Sequence, residues 1–87
     1  MARFEIVFKR SIAKDLKPIP RQDVQRILRR IEALADDPRP VGAEKLSAQE
    51  RYRLRQGNYR ILYEIHEHQL VITVVKIGHR KAVYQRN

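Results

Sequence analysis

Between Tyr52 and Tyr63, apolar and arginine side chains alternate with a period of two on either side of Gly57-Asn58, which restricts this stretch to a β-hairpin. A two-residue turn there sets Gln56 opposite Tyr59, Arg55 opposite Arg60, Leu54 opposite Ile61 and Arg53 opposite Leu62. Successive strand side chains point to opposite faces, so Tyr52, Leu54, Ile61 and Tyr63 share one face, and Arg53, Arg55 and Arg60 share the other with Leu62. Like charges opposed across a strand pair destabilise it unless an anion or a neighbouring carboxylate compensates them. The arginine face is therefore expected to hold an anion.

The rest of the chain supplies what the hairpin packs against. Phe4, Ile6 and Phe8 alternate with Glu5, Val7 and Lys9, which predicts a strand over 3–9. Ser11 is placed to cap a short helix with Ile12 and Leu16 one turn apart, and Pro18 and Pro20 interrupt it. From Pro20, apolar residues Val24, Ile27, Leu28, Ile31, Leu34 and Ala35 recur at helical spacing as far as Asp36-Asp37-Pro38. Residues 39–50 read as a loop with room for a turn of helix, and 52–56, 59–66 and 69–77 as strands, the last two joined at Glu67-His68. The expected fold is one α+β domain over residues 1–87. An N-terminal strand and two helices precede a three-stranded antiparallel meander, with the helices packed on one face of a single sheet.

Composition bounds the chemistry. A chain of 87 residues buries too little surface to enclose a deep cofactor cavity, so its site is expected to be open, with no cofactor. The absence of cysteine excludes disulfides, thiolate metal sites and a cysteine nucleophile. No apolar run of membrane-spanning length and no secretory-type apolar stretch at the start are present, which predicts a cytoplasmic protein that does not enter a membrane. Nineteen Lys and Arg against ten Asp and Glu give a formal net charge of +9, which favours a polyanionic partner, RNA above others. His66-Glu67-His68 lacks a third ligand in sequence, so no metal site is expected. Arg21, Arg26, Arg29 and Arg30 read as a solvated helix face, with RNA phosphates as a further contact. After Gly78 the chain continues His79-Arg80-Lys81-Ala82-Val83-Tyr84, with forks for phosphate oxygens, an imidazole that titrates near neutrality and a phenol that can stack on a base.

Several segments together resemble the RelE-type toxins of bacterial and archaeal toxin–antitoxin systems: Lys45-Leu46, Tyr52-Arg53-Leu54-Arg55, Gly57-Asn58-Tyr59-Arg60-Ile61-Leu62-Tyr63, Gly78-His79-Arg80 and Val83-Tyr84. The resemblance covers nearly the whole chain. It implies a toxin that enters the ribosomal A site and cleaves mRNA there without a metal, by in-line attack of a ribose 2′-hydroxyl on its neighbouring phosphate. It also implies a cognate antitoxin that wraps the toxin in a hetero-oligomer. By position, Arg60 and Arg80 resemble the family's phosphate-holding arginines and Tyr84 its C-terminal tyrosine, while Lys45 and Lys81 are assigned to substrate binding. Arg53 and Arg55 stand where the best-known members carry lysines. Arginine stays protonated near neutral pH, so these two are expected to stabilise charge, leaving proton transfer to His79 with Tyr84. Two rival readings share the residues: a ParE-like toxin acting on DNA gyrase, and a basic binding module that breaks no bond.

Overall fold

The computed structural model describes residues 3–46 and 50–79. Strand β1 (Glu5–Phe8) leads into helices α1 (Ile12–Leu16) and α2 (Arg21–Ala33), followed by strands β2 (Glu44–Lys45), β3 (Arg51–Gln56), β4 (Tyr59–His66) and β5 (Val71–His79). They form one sheet in the order β1-β5-β4-β3-β2. The three-stranded antiparallel meander is present, and β5 returns to lie parallel to β1.

The hairpin register is the one that alternation dictates, with Arg55 opposite Arg60 and Leu54 opposite Ile61. Gly57 has φ +60, as a two-residue turn with glycine first requires, and Asn58 has no positive φ. The inward-facing residues of the strands, among them Tyr52, Leu54, Ile61, Tyr63, Ile65, Ile72, Val74 and Ile77, form one core with Ile12, Ile27, Ile31 and Leu34. Both helices thus cover the same sheet face, because each offers only one apolar stripe. Among the described residues, no helix is long and apolar enough to cross a membrane.

Three local expectations are corrected. The segment read as a loop over 39–50 contains β2, which extends the sheet at its edge by pairing Glu44 with Arg53 and Lys45 with Tyr52. Ser11 makes no side-chain cap, and Pro20 stands just before the first turn of α2 with an extended ψ of 143°. The β4–β5 connection is longer than two residues: His66 pairs with Val71, and the intervening turn closes on Leu70, whose φ is 56°.

One irregularity in β5 bears on the site. Leu62 pairs with Lys76 whereas Tyr63 pairs with Val74, so Val75 is an extra residue, a β-bulge. The bulge inverts the alternation beyond it. Ile77 turns into the core, and Gly78 rather than Ile77 comes opposite Arg60.

Candidate functional site

The sheet face away from the helices carries Arg53 and Arg55 from β3 and Arg60 from β4. With Glu44 and Gly42 they line a cleft of about 290 Å³. Its walls follow from register. Arg55 and Arg60 are directly opposed beside the Gly57-Asn58 turn, Arg53 lies two residues further along β3, and Glu44 on β2 faces Arg53 from the sheet edge. Gly42, with φ +98, makes the bend that delivers β2 to this edge. Across β5, Gly78 adds no side chain beside Arg60.

Arg60 is only 7% exposed, the one charged residue buried among the described residues. Burying a guanidinium is unfavourable unless hydrogen bonds or an opposite charge meet it, so its place under the cleft is held by its surroundings. Glu44 hydrogen-bonds Arg53, and this bond together with the fields of Arg53, Arg55 and Arg60 holds its carboxyl below the usual carboxylate value of 4.5. Among the described lining residues, three guanidinium groups stand beside one carboxylate. A carboxylate of the kind that the opposed arginines call for is therefore present.

The far end of the sheet differs. A larger hollow of about 600 Å³ there is lined by Arg39, Arg51, Glu50, Glu64, Glu67, His66 and their neighbours. Arg39 donates to Glu50 at 2.9 Å, to Glu67 at 2.7 Å and from Nε to the Tyr52 hydroxyl at 2.9 Å, while Arg51 pairs with Glu64. Two arginines there meet three glutamates, so the described lining of that hollow offers no positive surplus to an anion.

Of the candidate residues taken from the sequence, the structure brings Arg53, Arg55 and Arg60 together and sets two apart. Lys45 pairs with Tyr52 and so belongs to the other face, where its ammonium donates to Glu50 at 2.9 Å. His79 pairs with Tyr59, and the two rings meet edge-on at 5.9 Å, on the line of Ile61 and Ile77 rather than that of the arginines. The Val75 bulge is the reason, because one extra residue moves every later side chain to the opposite face. Arg80, Lys81 and Tyr84 lie outside the described residues. Sequence reasoning missed Glu44. Its signal is weak, since a two-residue edge strand is too short to show alternation, and only its pairing with Arg53 reveals it.

Similarity to known proteins bears on the family and the fold. Toxin RelE1 of Methanocaldococcus jannaschii is 28% identical over 87 residues, covering 95% of this chain and 97% of that protein. The RelB-RelE antitoxin-toxin complex from Methanococcus jannaschii contains a chain with TM-score 0.71 and 29% identity, over 90% of this chain and 94% of that one. In the toxin-antitoxin complex RelBE2 from Mycobacterium tuberculosis a chain superposes with TM-score 0.80 at 20% identity, over 92% of this chain and 94% of that one, which shows the shared fold. The family described as the ParE toxin of the type II toxin-antitoxin system parDE matches residues 6–84. The chain therefore belongs to the ParE toxin family of type II toxin–antitoxin systems, within the RelE/ParE group of toxins.

Proposed function

We propose that this toxin is a ribosome-dependent endoribonuclease that cleaves mRNA in the A site, holding the scissile phosphate in the cleft of Arg53, Arg55 and Arg60. The observation that carries this reading is the convergence of three guanidinium groups on one open cleft, with Arg60 buried beneath it. Phosphodiester cleavage through a 2′-hydroxyl passes a crowded transition state with extra negative charge on the phosphate oxygens, and fixed cations lower its energy more than any other single contribution. Planar guanidinium forks suit those oxygens, and an open cleft suits a substrate as large as an mRNA held in a ribosome. Arg80, Lys81 and Tyr84 are assigned to the same task, the arginine on phosphate and the tyrosine on base or ribose. The proposed setting is the cytoplasm, where a cognate antitoxin binds the toxin in a hetero-oligomer, as RelB does RelE in the archaeal complex.

One finding favours a second reading. The matching family is described by the ParE name, and on the ParE-like reading the toxin acts on DNA gyrase without cutting RNA. Primer extension on mRNA from programmed ribosomes separates the two, run beside a gyrase assay for trapped DNA breaks. The expected result is position-specific mRNA cuts that need ribosomes, falling on the order of 10²–10³-fold in rate for Arg60→Ala, the range for removing one preorganised donor. Trapped gyrase with intact mRNA would establish the rival, and neither effect would leave a binding module.

A further inference from the structure

We infer that the outer edge of β1, with the apolar groove beneath it, joins two copies of this chain in antiparallel fashion about a twofold axis at Val7. This edge is the one farthest from β2 in the sheet, and its role is independent of the reaction performed in the arginine cleft. Strand β5, the neighbour of β1, takes only alternate backbone groups of it. The Glu5 N–H donates to the Leu70 carbonyl at 2.8 Å and the Lys9 N–H to the Val74 carbonyl at 3.0 Å, so the N–H and C=O of Ile6 and Phe8 turn outward. The Phe4 N–H is already spent on the Ala35 carbonyl at 2.8 Å. The open edge is therefore Ile6 and Phe8. Such an edge is a template for another strand, and the side chains of Val7 and Phe8, 40% and 44% exposed, do nothing to discourage one.

The strand that fits is a second copy of β1. In an antiparallel pair, outward-turned groups must meet outward-turned groups, so Ile6 and Phe8 have to face residues of the same kind. An axis at Val7 sets Ile6 of each copy opposite Phe8 of the other, each pair exchanging both of its N–H···O=C bonds. An axis at Ile6 would instead set Phe8 against Phe4, whose N–H is taken, and an axis at Phe8 would set Ile6 against Arg10, in the turn beyond the strand. The Val7 axis also brings Glu5 of each copy opposite Lys9 of the other, both exposed and on the Val7 face. Glu5-Ile6-Val7-Phe8-Lys9 is thus complementary to its own reverse, as an isologous interface requires.

The groove on the helix side supplies apolar area. Ile6 and Phe8 line it with Leu28 and Ile31 of α2, around a hollow of about 540 Å³, and Leu28 is exposed. The axis that pairs the strands runs perpendicular to the sheet, so it sets α2 antiparallel to its copy and brings these side chains together across the join. Arg29 and Glu32 stand on the rim. With Glu5 and Lys9 they make two cations against two carboxylates, a balanced strip in a chain of net charge +9. Joining there avoids the repulsion that two cationic faces would meet. The arginine cleft lies toward the opposite edge of the sheet, so both copies keep it open.

The test is sedimentation velocity of the purified full chain over a micromolar concentration series, at about 0.15 M salt, where the screening length is about 8 Å. Wild type passes from monomer to dimer, and amide exchange at Ile6 and Phe8 slows as it does. Glu5→Lys leaves cations at both ends of the edge and Lys9→Glu leaves carboxylates at both. Each variant alone therefore dimerises about tenfold or more weakly, with like charges in place of both ion pairs. Mixed in equal amounts, the two variants pair with one another at close to wild-type affinity, since every contact again joins opposite charges. Both positions are exposed, so both variants keep the wild-type urea midpoint. A wild-type chain that stays monomeric throughout overturns the inference and leaves the edge to another strand, one from the antitoxin being the next candidate. A dimer that forms without slowing exchange at Ile6 and Phe8, or a mixture that associates no more tightly than either variant alone, overturns it as well.

Discussion

Tyr63 shows how one side chain ties the core to the loop that carries the cleft's edge strand. It is fully buried, its hydroxyl donates to the Pro38 carbonyl at 2.8 Å, and its ring stacks on Tyr52 with centroids 5.8 Å apart. Arg39 in turn lies over the Tyr52 ring, 5.3 Å from its centroid. The chain leaving α2 is thus pinned at Pro38 and Arg39 before it runs on to Glu44. The ion pairs of Arg39 are solvated and contribute little, so the buried phenol is the stronger pin. Replacing Tyr63 with Phe keeps the ring and removes the bond to Pro38, a loss of about 1–2 kcal/mol that urea unfolding at neutral pH can measure. The pH dependence has a definite sign. Burial pushes the Tyr63 phenol from its ordinary value of 10.0 up to about 12. The folded state therefore binds this proton more tightly than the unfolded chain, and the corresponding stability is complete below pH 10.0 and is lost as pH rises toward about 12. Tyr63→Phe removes that alkaline slope, and an unchanged slope in the variant would assign it to another group.

Between elements, the decisive joint is that of α1 with the last part of β5. Strand β1 pairs with β5 only as far as Val74, so among the described residues no strand flanks the following backbone groups of β5 on that side. Asp15 of α1 fills the place: its carboxylate accepts the Ile77 N–H at 3.1 Å and lies 3.4 Å from the Lys76 ammonium. Asp15→Ala leaves that part-buried N–H unsatisfied and is expected to destabilise the fold by about 1–3 kcal/mol, read from the shift in urea midpoint at constant slope. Amide hydrogen exchange at Ile77 should quicken more than at Ile61 in the same variant. Neither Asp15 nor Glu44 was legible in the sequence, because each works through a partner that only the folded chain brings near. The β3–β4 hairpin was legible, since period-two alternation and a glycine turn state the register locally. The same alternation misleads beyond Val75, where pattern alone shows no extra residue and His79 changes sides. Ser11 had the right residue type and position for a cap, yet its backbone is already helical, with φ −67° and ψ −14°, so its side chain makes no capping bond.

Over the whole molecule, the +9 net charge is not spread evenly. At the far end of the sheet Arg39 and Arg51 meet three carboxylates, Glu50, Glu64 and Glu67, whereas the described lining of the cleft by the Gly57-Asn58 turn sets three arginines beside one carboxylate, Glu44. A second cationic patch lies on the helix side, where Arg26, Arg29 and Arg30 flank Gln56 around a shallow hollow of about 300 Å³. A polyanion could be held by either patch, and salt dependence tells them apart. Each phosphate of a single strand that a cation neutralises contributes a slope of about −0.7 to log K against log salt. Three cleft arginines acting on three phosphates thus contribute about −2. Anisotropy titrations of a short RNA over a range of potassium chloride concentrations should show Arg55→Ala reducing the magnitude of the slope by about 0.7, with Arg29→Ala changing it less. Arg55 is the informative choice, because it is exposed and directly opposed to Arg60, so its loss removes a repulsion and should not destabilise the hairpin. Weaker RNA binding from a protein that is no less stable is then an effect on the ligand alone. The reverse ranking, with the slope sensitive to Arg29 and indifferent to Arg55, would place the RNA backbone on α2 and leave the cleft without the phosphate its arginines are arranged to hold.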